Sequence, residues 1–372
     1  MDSGKFIDTG KGYMAFSPTK LEIVGQGLRL DSLQSVIERA NIAIGELRAL
    51  EKMLPNPELL TERYAMKESV LSSQIEGTQS TLAEFIENED ESDVSIDVME
   101  VRNYFNALEF GVKNIKNPNG LPLSSRLLRE CHSILMKGVR GGESNKTPGE
   151  FRASQNWIGG SRPSDAKFVP PVFGEVSDLM GDLENYIHNN SQPNLVKAAL
   201  MHYQFETIHP FQDGNGRIGR LLIPLFLIDR GILNSPTLYI SLYLKQMQGE
   251  YYDRLMSVRT GGDYDRWVEF FLVGVVKVSE QIMTTTKNII ALEIKDRNLA
   301  KTGNEIKLLE FLLTRPIITI KEAQEKLGVT NATAGSLVKK LEGKGILVQT
   351  NKKKRYRKYA YKEYINIIDA GL

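Results

Sequence analysis

A chain of 372 residues with 41% hydrophobic and 25% charged side chains is long enough for two or three packed domains and has the composition of globular protein. Its formal net charge of +1 excludes a polycationic nucleic-acid coat. Its single cysteine, Cys131, excludes an internal disulfide framework and a cysteine-based zinc site. The opening MDSGKFIDTG has no basic-then-apolar signal pattern, and the most apolar runs, LLIPLFLI at 221–228 and FFLVGVV at 270–276, fall far short of the roughly 20 residues that span a bilayer. The expectation is a cytoplasmic protein with no membrane partner. Charge is uneven, however: residues 301–372 hold 15 Lys and Arg against 7 Asp and Glu, a balance of +8, which leaves about −7 for residues 1–300.

Taken in chain order, residues 1–30 read as irregular. Leu33, Val36, Ile37, Ala40, Ile44 and Leu47 then recur at helical spacing and predict a helix from Leu30 to about Leu54. Asn56 as N-cap and Pro57 as first helical residue open a second helix, ended by Gly77. Thr81 and Glu84 form a capping box for a short helix, and the acidic stretch 88–93 reads as loop. Helices follow near 97–114, 124–137, 174–189 and 195–208. Between them, residues 141–171 are rich in Gly, Pro, Ser and Asn and predict loop with one small β-hairpin around NWIGG and KFVPP. Beyond residue 209 come a loop, an apolar helix to about Arg230, and helices over 241–258 and 264–295.

The basic tail changes character. A helix over 303–314 precedes a second over 320–327, opened by a Thr319–Glu322 capping box and ended by Gly328; Thr330 or Asn331 caps a third to about Glu342. ILVQT and YAY then read as two strands around the basic run NKKKRYRK. Helix, helix-turn-helix and β wing predict a winged helix. The domains are therefore 1–100, an N-terminal helical region; 101–295, a helical core; and 296–372, the winged helix.

The chemistry concentrates in HPFQDGNGRIGR, His209 to Arg220. Gly214, Gly216 and Gly219 have the spacing of a dinucleotide-binding turn, but the residues before them, VKAALMHYQFETI, have helical periodicity, and that turn needs a preceding strand. A different reading is coherent. Pro210 disfavours helical geometry at His209, so the preceding helix ends there and presents an imidazole able to act as a base near neutral pH. Gly214, Asn215 and Gly216 can turn successive N–H groups towards an anion at the start of the next helix. Arg217 and Arg220, three apart, offer guanidinium forks for phosphate oxygens. Asp213 adds a hard carboxylate suited to Mg²⁺.

The stretch matches every specified position of His-Pro-Phe-x-Asp-Gly-Asn-Gly-Arg-x-x-Arg and so resembles the Fic family of protein adenylyltransferases. The resemblance implies a mainly α, Fic-type helical core with a β-hairpin flap. It implies transfer of AMP from ATP to a Ser, Thr or Tyr hydroxyl of a protein, the enzyme itself included, with His209 as base and pyrophosphate as leaving group. The implied nucleotide site comprises Glu76, His209, Gly214, Asn215, Gly216, Arg217, Ile218, Gly219, Arg220 and Tyr252, with Asp213 as Mg²⁺ ligand and Phe211 buried beneath the loop. Tyr251 is an alternative to Tyr252. EFRASQNWIGG…FVPP resembles the flap that docks a target by strand addition. SSQIEG at 72–77 resembles the pattern of an inhibitory helix in one class of the family, which makes Ser72 and Glu76 inhibitory and gives Glu76 the partner Arg220.

Other readings stand beside these. Asn331, Thr333, Ser336, Lys339 and Lys340, with Lys352 to Lys358 as wing, make DNA a candidate partner and a nucleotide-sensing DNA-binding regulator an alternative function. Removal of AMP through water activated by Glu76 is another. His132, His188 and His202 lack ligand spacing and read as structural, as do Trp157 and Trp267. A homodimer is the default for a soluble oligomer.

Overall fold

The computed structural model describes all residues except 54–56, 89–90, 92, 141–146, 189–191, 351–356 and 371–372, and for 51–53 and 57–59 only the course of the backbone. The chain begins with an antiparallel hairpin, β1 (Gly4–Asp8) and β2 (Met14–Pro18), and a short helix α1 (Leu21–Gly27). The irregular N-terminus read from the sequence is thus corrected. The hairpin is short, but β2 has a further partner: the Phe16 N–H donates to the Val169 carbonyl at 3.0 Å, and the Phe16 ring packs on Phe168.

Among the described residues eleven α-helices follow before the tail: α2 (Leu30–Met53), α3 (Pro57–Ile75), α4 (Leu82–Glu87), α5 (Ile96–Lys116), α6 (Ser125–Leu135), α7 (Val176–His188), α8 (Asn194–Ile208), α9 (Asn215–Asp229), α10 (Ser241–Gln246), α11 (Gln248–Gly261) and α12 (Tyr264–Leu299). The sequence reading placed one helix over 241–258 where the chain makes two, broken at Met247. The Thr81–Glu84 capping box is present. The N-cap expected at Asn56 lies outside the described residues. In the 141–171 stretch, the expected hairpin is a single antiparallel bridge, Ile158 to Phe168.

α8 and α9 form the centre. Residues 195–208 of α8 are all buried, the polar Lys197, His202, Gln204 and Glu206 included, and so is nearly all of α9. Around them pack α5, α7 and α12, the last fastened by a hydrogen bond from Trp267 Nε1 to the Ala199 carbonyl at 2.8 Å. α3 lies against α5, α9 and α10. Among the described residues no helix is long and apolar enough to cross a membrane.

The tail runs α13 (Gly303–Thr314), β3 (Ile317–Thr319), α14 (Ile320–Leu327), α15 (Asn331–Gly343), β4 (Val348–Gln349), β5 (Lys358–Ala360) and α16 (Lys362–Asp369), with strand order β3-β5-β4, all antiparallel. The caps at Thr319 and Thr330 and the stop at Gly328 (φ 62°) are as read. β3 and α16 are additions. β3 has three residues, too few for periodicity to reveal, and exists because β5 pairs with it. The basic run at 351–356 lies outside the described residues.

Candidate active site

α8 stops at Ile208, and His209 caps it with a left-handed backbone, φ 51° and ψ 60°. It is the only non-glycine residue with positive φ among the described residues. The helix end falls where Pro210 predicts it, but in place of the extended backbone usual before proline the chain takes a conformation that costs about 1–2 kcal/mol outside glycine. Nδ1 is buried with no well-aligned hydrogen-bond partner. Burial first, then the guanidiniums of Arg259 and Arg152, push the imidazole pKa down to about 4 against the opposing pull of the Glu206 carbonyl and Glu76. The ring is therefore neutral at physiological pH and can accept a proton.

The loop after it is held by its own side chains. Phe211 is fully buried, as expected, and stacks on His132 at 3.8 Å between ring centres. Asn215 accepts from the Phe211 N–H and donates to the Phe211 carbonyl, each at 2.7 Å, so its side chain closes the loop and only its backbone faces an anion. His132, read as merely structural, fastens the loop. Its Nδ1 accepts from the Gly149 N–H at 2.8 Å, which leaves Nε2 to donate to the Asp213 carbonyl at 3.0 Å.

α9 then begins. Its first intrahelical bond here runs from the Ile218 N–H to the Gly214 carbonyl at 3.1 Å. That bond removes the Ile218 N–H from the anion cradle, and its side chain lies in the core. Gly219 is likewise a packing residue: a Cβ there would come within 2.2 Å of Glu206 Oε1, and its carbonyl accepts from His202 at 2.9 Å. The remaining N–H groups, of Asn215, Gly216 and Arg217, form the open helix N-terminus. Arg217 is buried, with Nε lacking a partner, an orphaned donor beside that terminus.

A carboxylate already sits there. A Cβ on Gly216 would come within 2.3 Å of Glu76 Oε1. Glu76 is not in the last turn of α3, where the sequence reading put it, but in the tight turn just beyond, which ends at Gly77 with φ 96°. Its Oε1 accepts from Arg220 Nη2 at 2.7 Å; Arg220 also donates through Nε to Ser72 Oγ at 2.9 Å and through Nη2 to the Ser72 carbonyl at 3.0 Å. Arg220 is 1% exposed. Burial opposes its charge, but Glu76, Tyr251 and Glu206 outweigh it and hold the pKa above its ordinary value. Ser72, Glu76 and Arg220 are thus brought together.

Of the two tyrosines, Tyr251 is buried and hydrogen-bonded to His202 Nε2 at 3.0 Å, whereas Tyr252 is 44% exposed. Only Tyr252 offers a face to a ligand. Asp213 Oδ1 accepts from the Gly214 N–H at 2.7 Å. Among the described residues no group of three or more His, Cys, Asp or Glu could hold a metal unaided; a lone carboxylate fits Mg²⁺ only in company with phosphate oxygens. His188 Nε2 donates to the Leu123 carbonyl at 2.9 Å and Trp267 is core, whereas Trp157, read as a packing residue, is exposed beside the Ile158 bridge. Sequence reading missed Glu206, a buried carboxylate one turn before His209 whose pKa burial pushes up to about 7. It also missed Arg152, Asn156 and Arg259. Nothing local marks these residues; Glu206 shares its helix with other polar side chains, Lys197, His202 and Gln204.

A neutral histidine beside a helix N-terminus that carries two buried arginines is an arrangement that suits phosphate chemistry. Residues 122–227 match the Fic/DOC family and residues 34–113 the Fic/DOC family N-terminal region. Residues 122–227 thus carry a Fic domain. Protein adenylyltransferase Fic of Aedes aegypti is 41% identical over 126 residues, 33% of this chain and 22% of the relative. That of Drosophila virilis is 28% identical over 326 residues, 84% and 62% respectively. A probable protein adenylyltransferase of Aquifex aeolicus is 29% identical over 182 residues, 48% and 53%. The chain thus spans less than two thirds of the length of these curated relatives. A Fic family protein from Desulfovibrio desulfuricans G20 shares the fold with a TM-score of 0.56 at 21% identity, covering 87% of this chain and 95% of the other. Fic-1 from C. elegans does so with 0.54 at 18%, covering 69% and 75%.

Proposed function

We propose that this chain transfers AMP from ATP to a Ser, Thr or Tyr hydroxyl of a protein, itself included, and that Glu76 holds the activity in check. One observation carries the reading: the Glu76 carboxylate lies over the N-terminus of α9 and on Arg220, where an anionic phosphate would otherwise bind. In the transfer, His209 takes the proton from the target hydroxyl, the oxygen bonds to the α-phosphorus, and the bond to the β-phosphate oxygen breaks to release pyrophosphate. The N–H groups of α9 and Arg217 bind the phosphates, Arg220 the γ-phosphate once Glu76 has left, and Tyr252 flanks the nucleoside. Asp213 would hold Mg²⁺, which when bound neutralises phosphate charge. Ser72 keeps Arg220 aimed at Glu76. The test is self-modification: Glu76→Gly should gain it and Glu76→Gly/His209→Ala should lose it. No gain in the single variant would remove Glu76 as the check.

We also propose that the tail is a winged helix used on DNA. In α15, Asn331, Thr333, Ser336, Lys339 and Lys340 are all exposed among the described residues while Ala334, Leu337, Val338 and Leu341 are buried, so its exposed face is polar. The full-length chain should retain duplex DNA at low salt and release it steeply as salt rises; retention unaffected by Lys339→Glu/Lys340→Glu would count against it.

A further inference from the structure

His209 keeps a backbone conformation that persists only where its surroundings over-determine it. Its own helix supplies one bond, from the His209 N–H to the Phe205 carbonyl at 2.9 Å, which serves any such cap. The rest comes from the segment after α6. The His209 carbonyl accepts from Arg152 Nε at 2.9 Å and from Asn156 Nδ2 at 3.3 Å. Arg152 Nη2 reaches the Ile208 carbonyl at 3.4 Å and the Pro171 carbonyl at 2.6 Å, and the Arg152 N–H donates to the Pro210 carbonyl at 2.9 Å. Asn156 Nδ2 also donates to the Phe211 carbonyl at 2.9 Å. One residue thus meets three consecutive carbonyls, of 208, 209 and 210, and joins them to both ends of the 152–171 segment. The residue is 4% exposed.

We infer that Arg152, assisted by Asn156, is a positioning residue for AMP transfer: it fixes His209 in its left-handed conformation and links the histidine to the segment that carries the Ile158–Phe168 bridge. The inference rests on the AMP-transfer reading of the site. Its physical basis is the planar guanidinium fork, which bonds several carbonyls in a fixed geometry that an ammonium cannot reproduce. The charged groups around His209 are Arg152 and Arg259, whose cations favour the neutral ring, and Glu76, which opposes them less strongly, as does the backbone carbonyl of Glu206. Lysine at 152 therefore keeps the charge and loses the geometry, whereas methionine loses both.

The test uses the full chain in the Glu76→Gly background with α-labelled ATP. Arg152→Lys should lower kcat by roughly 10²-fold, the scale of a misplaced catalytic group, with the KM for ATP within about threefold and the pH profile unmoved. Arg152→Met should lose as much and in addition shift the His209 titration midpoint upward, read by NMR of histidine-labelled protein with His209→Gln for assignment. A kcat for Arg152→Lys within about threefold of the parent, or a loss wholly in the KM for ATP, overturns the inference. Should Glu76→Gly transfer no AMP at all, the activity reading falls, and the His209 backbone amide resonance decides alone: one unmoved in Arg152→Lys overturns the positioning role, and one displaced there sustains it. If Arg152→Met does not fold, Arg152→Lys carries the test.

Discussion

At the scale of single residues, Glu76 and a phosphate group compete for the same few donors: the first N–H groups of α9 and the Arg220 guanidinium. Replacing Glu76 by glycine should therefore raise self-modification by roughly tenfold or more, the gain from removing about 1.4 kcal/mol of competition. His209→Ala in that background should cost about 10²- to 10⁴-fold, as removal of a general base does. The pH dependence has a definite sign. The base works when neutral, and its pKa lies near 4, so kcat/KM of Glu76→Gly should stay level from pH 8 down to about 5.5 as far as this group is concerned and fall only below that. A midpoint near 6.5 would mean an unshifted imidazole. The twelve-residue motif and the Ser72–Glu76 pattern are legible in the sequence because each is a local run of residue types. Arg152, Asn156 and Glu206 are not, because their partners lie on other segments and nothing local marks the contact. Ile218 and Gly219 illustrate the reverse: they belong to the motif by spacing, but helix geometry gives one to the core and makes the other a seat for Glu206.

At the scale of elements, α3 is held by a buried carboxylate. Glu68 accepts from the Ser241 N–H at 3.1 Å and from the Tyr104 hydroxyl at 3.2 Å, tying α3 to α10 and α5 two turns before Glu76. Burial raises its pKa to about 7 despite these donors and Arg220. A carboxyl whose folded pKa is raised binds protons better in the folded state, so its contribution is present below pH about 4.3 and is lost as pH rises through about 7. Glu68→Gln should accordingly flatten the decline in denaturant midpoint between pH 5 and 8. An identical decline in the variant would assign it to other groups. α9 offers a sharper test of packing: Gly219→Ala drives a methyl to within 2.2 Å of Glu206 Oε1 and should cost about 1–3 kcal/mol in a denaturant melt. The helices are readable from periodicity and caps. The N-terminal hairpin, β3 and α16 are not, since short elements exist by virtue of their partners rather than their own pattern.

At the scale of the whole molecule, the tail is fastened to the helix that leads to Glu76. Lys67 of α3, fully buried, donates to the carbonyls of Ile368 and Ala370 at the end of α16, at 2.7 and 2.8 Å, and Arg63 one turn earlier donates to the Thr314 carbonyl at the end of α13. Cations at helix C-termini meet both the orphan carbonyls and the dipole. Lys67→Met should loosen α16, seen as faster amide exchange over 362–369, and unchanged exchange would show that other contacts suffice. The most direct test of the central claim is incorporation of label from α-³²P-ATP against γ-³²P-ATP by wild type, Glu76→Gly and Glu76→Gly/His209→Ala. Label from the α position only, increased in Glu76→Gly and lost with His209, is the predicted result; label from neither position, or from γ, would contradict AMP transfer at this site.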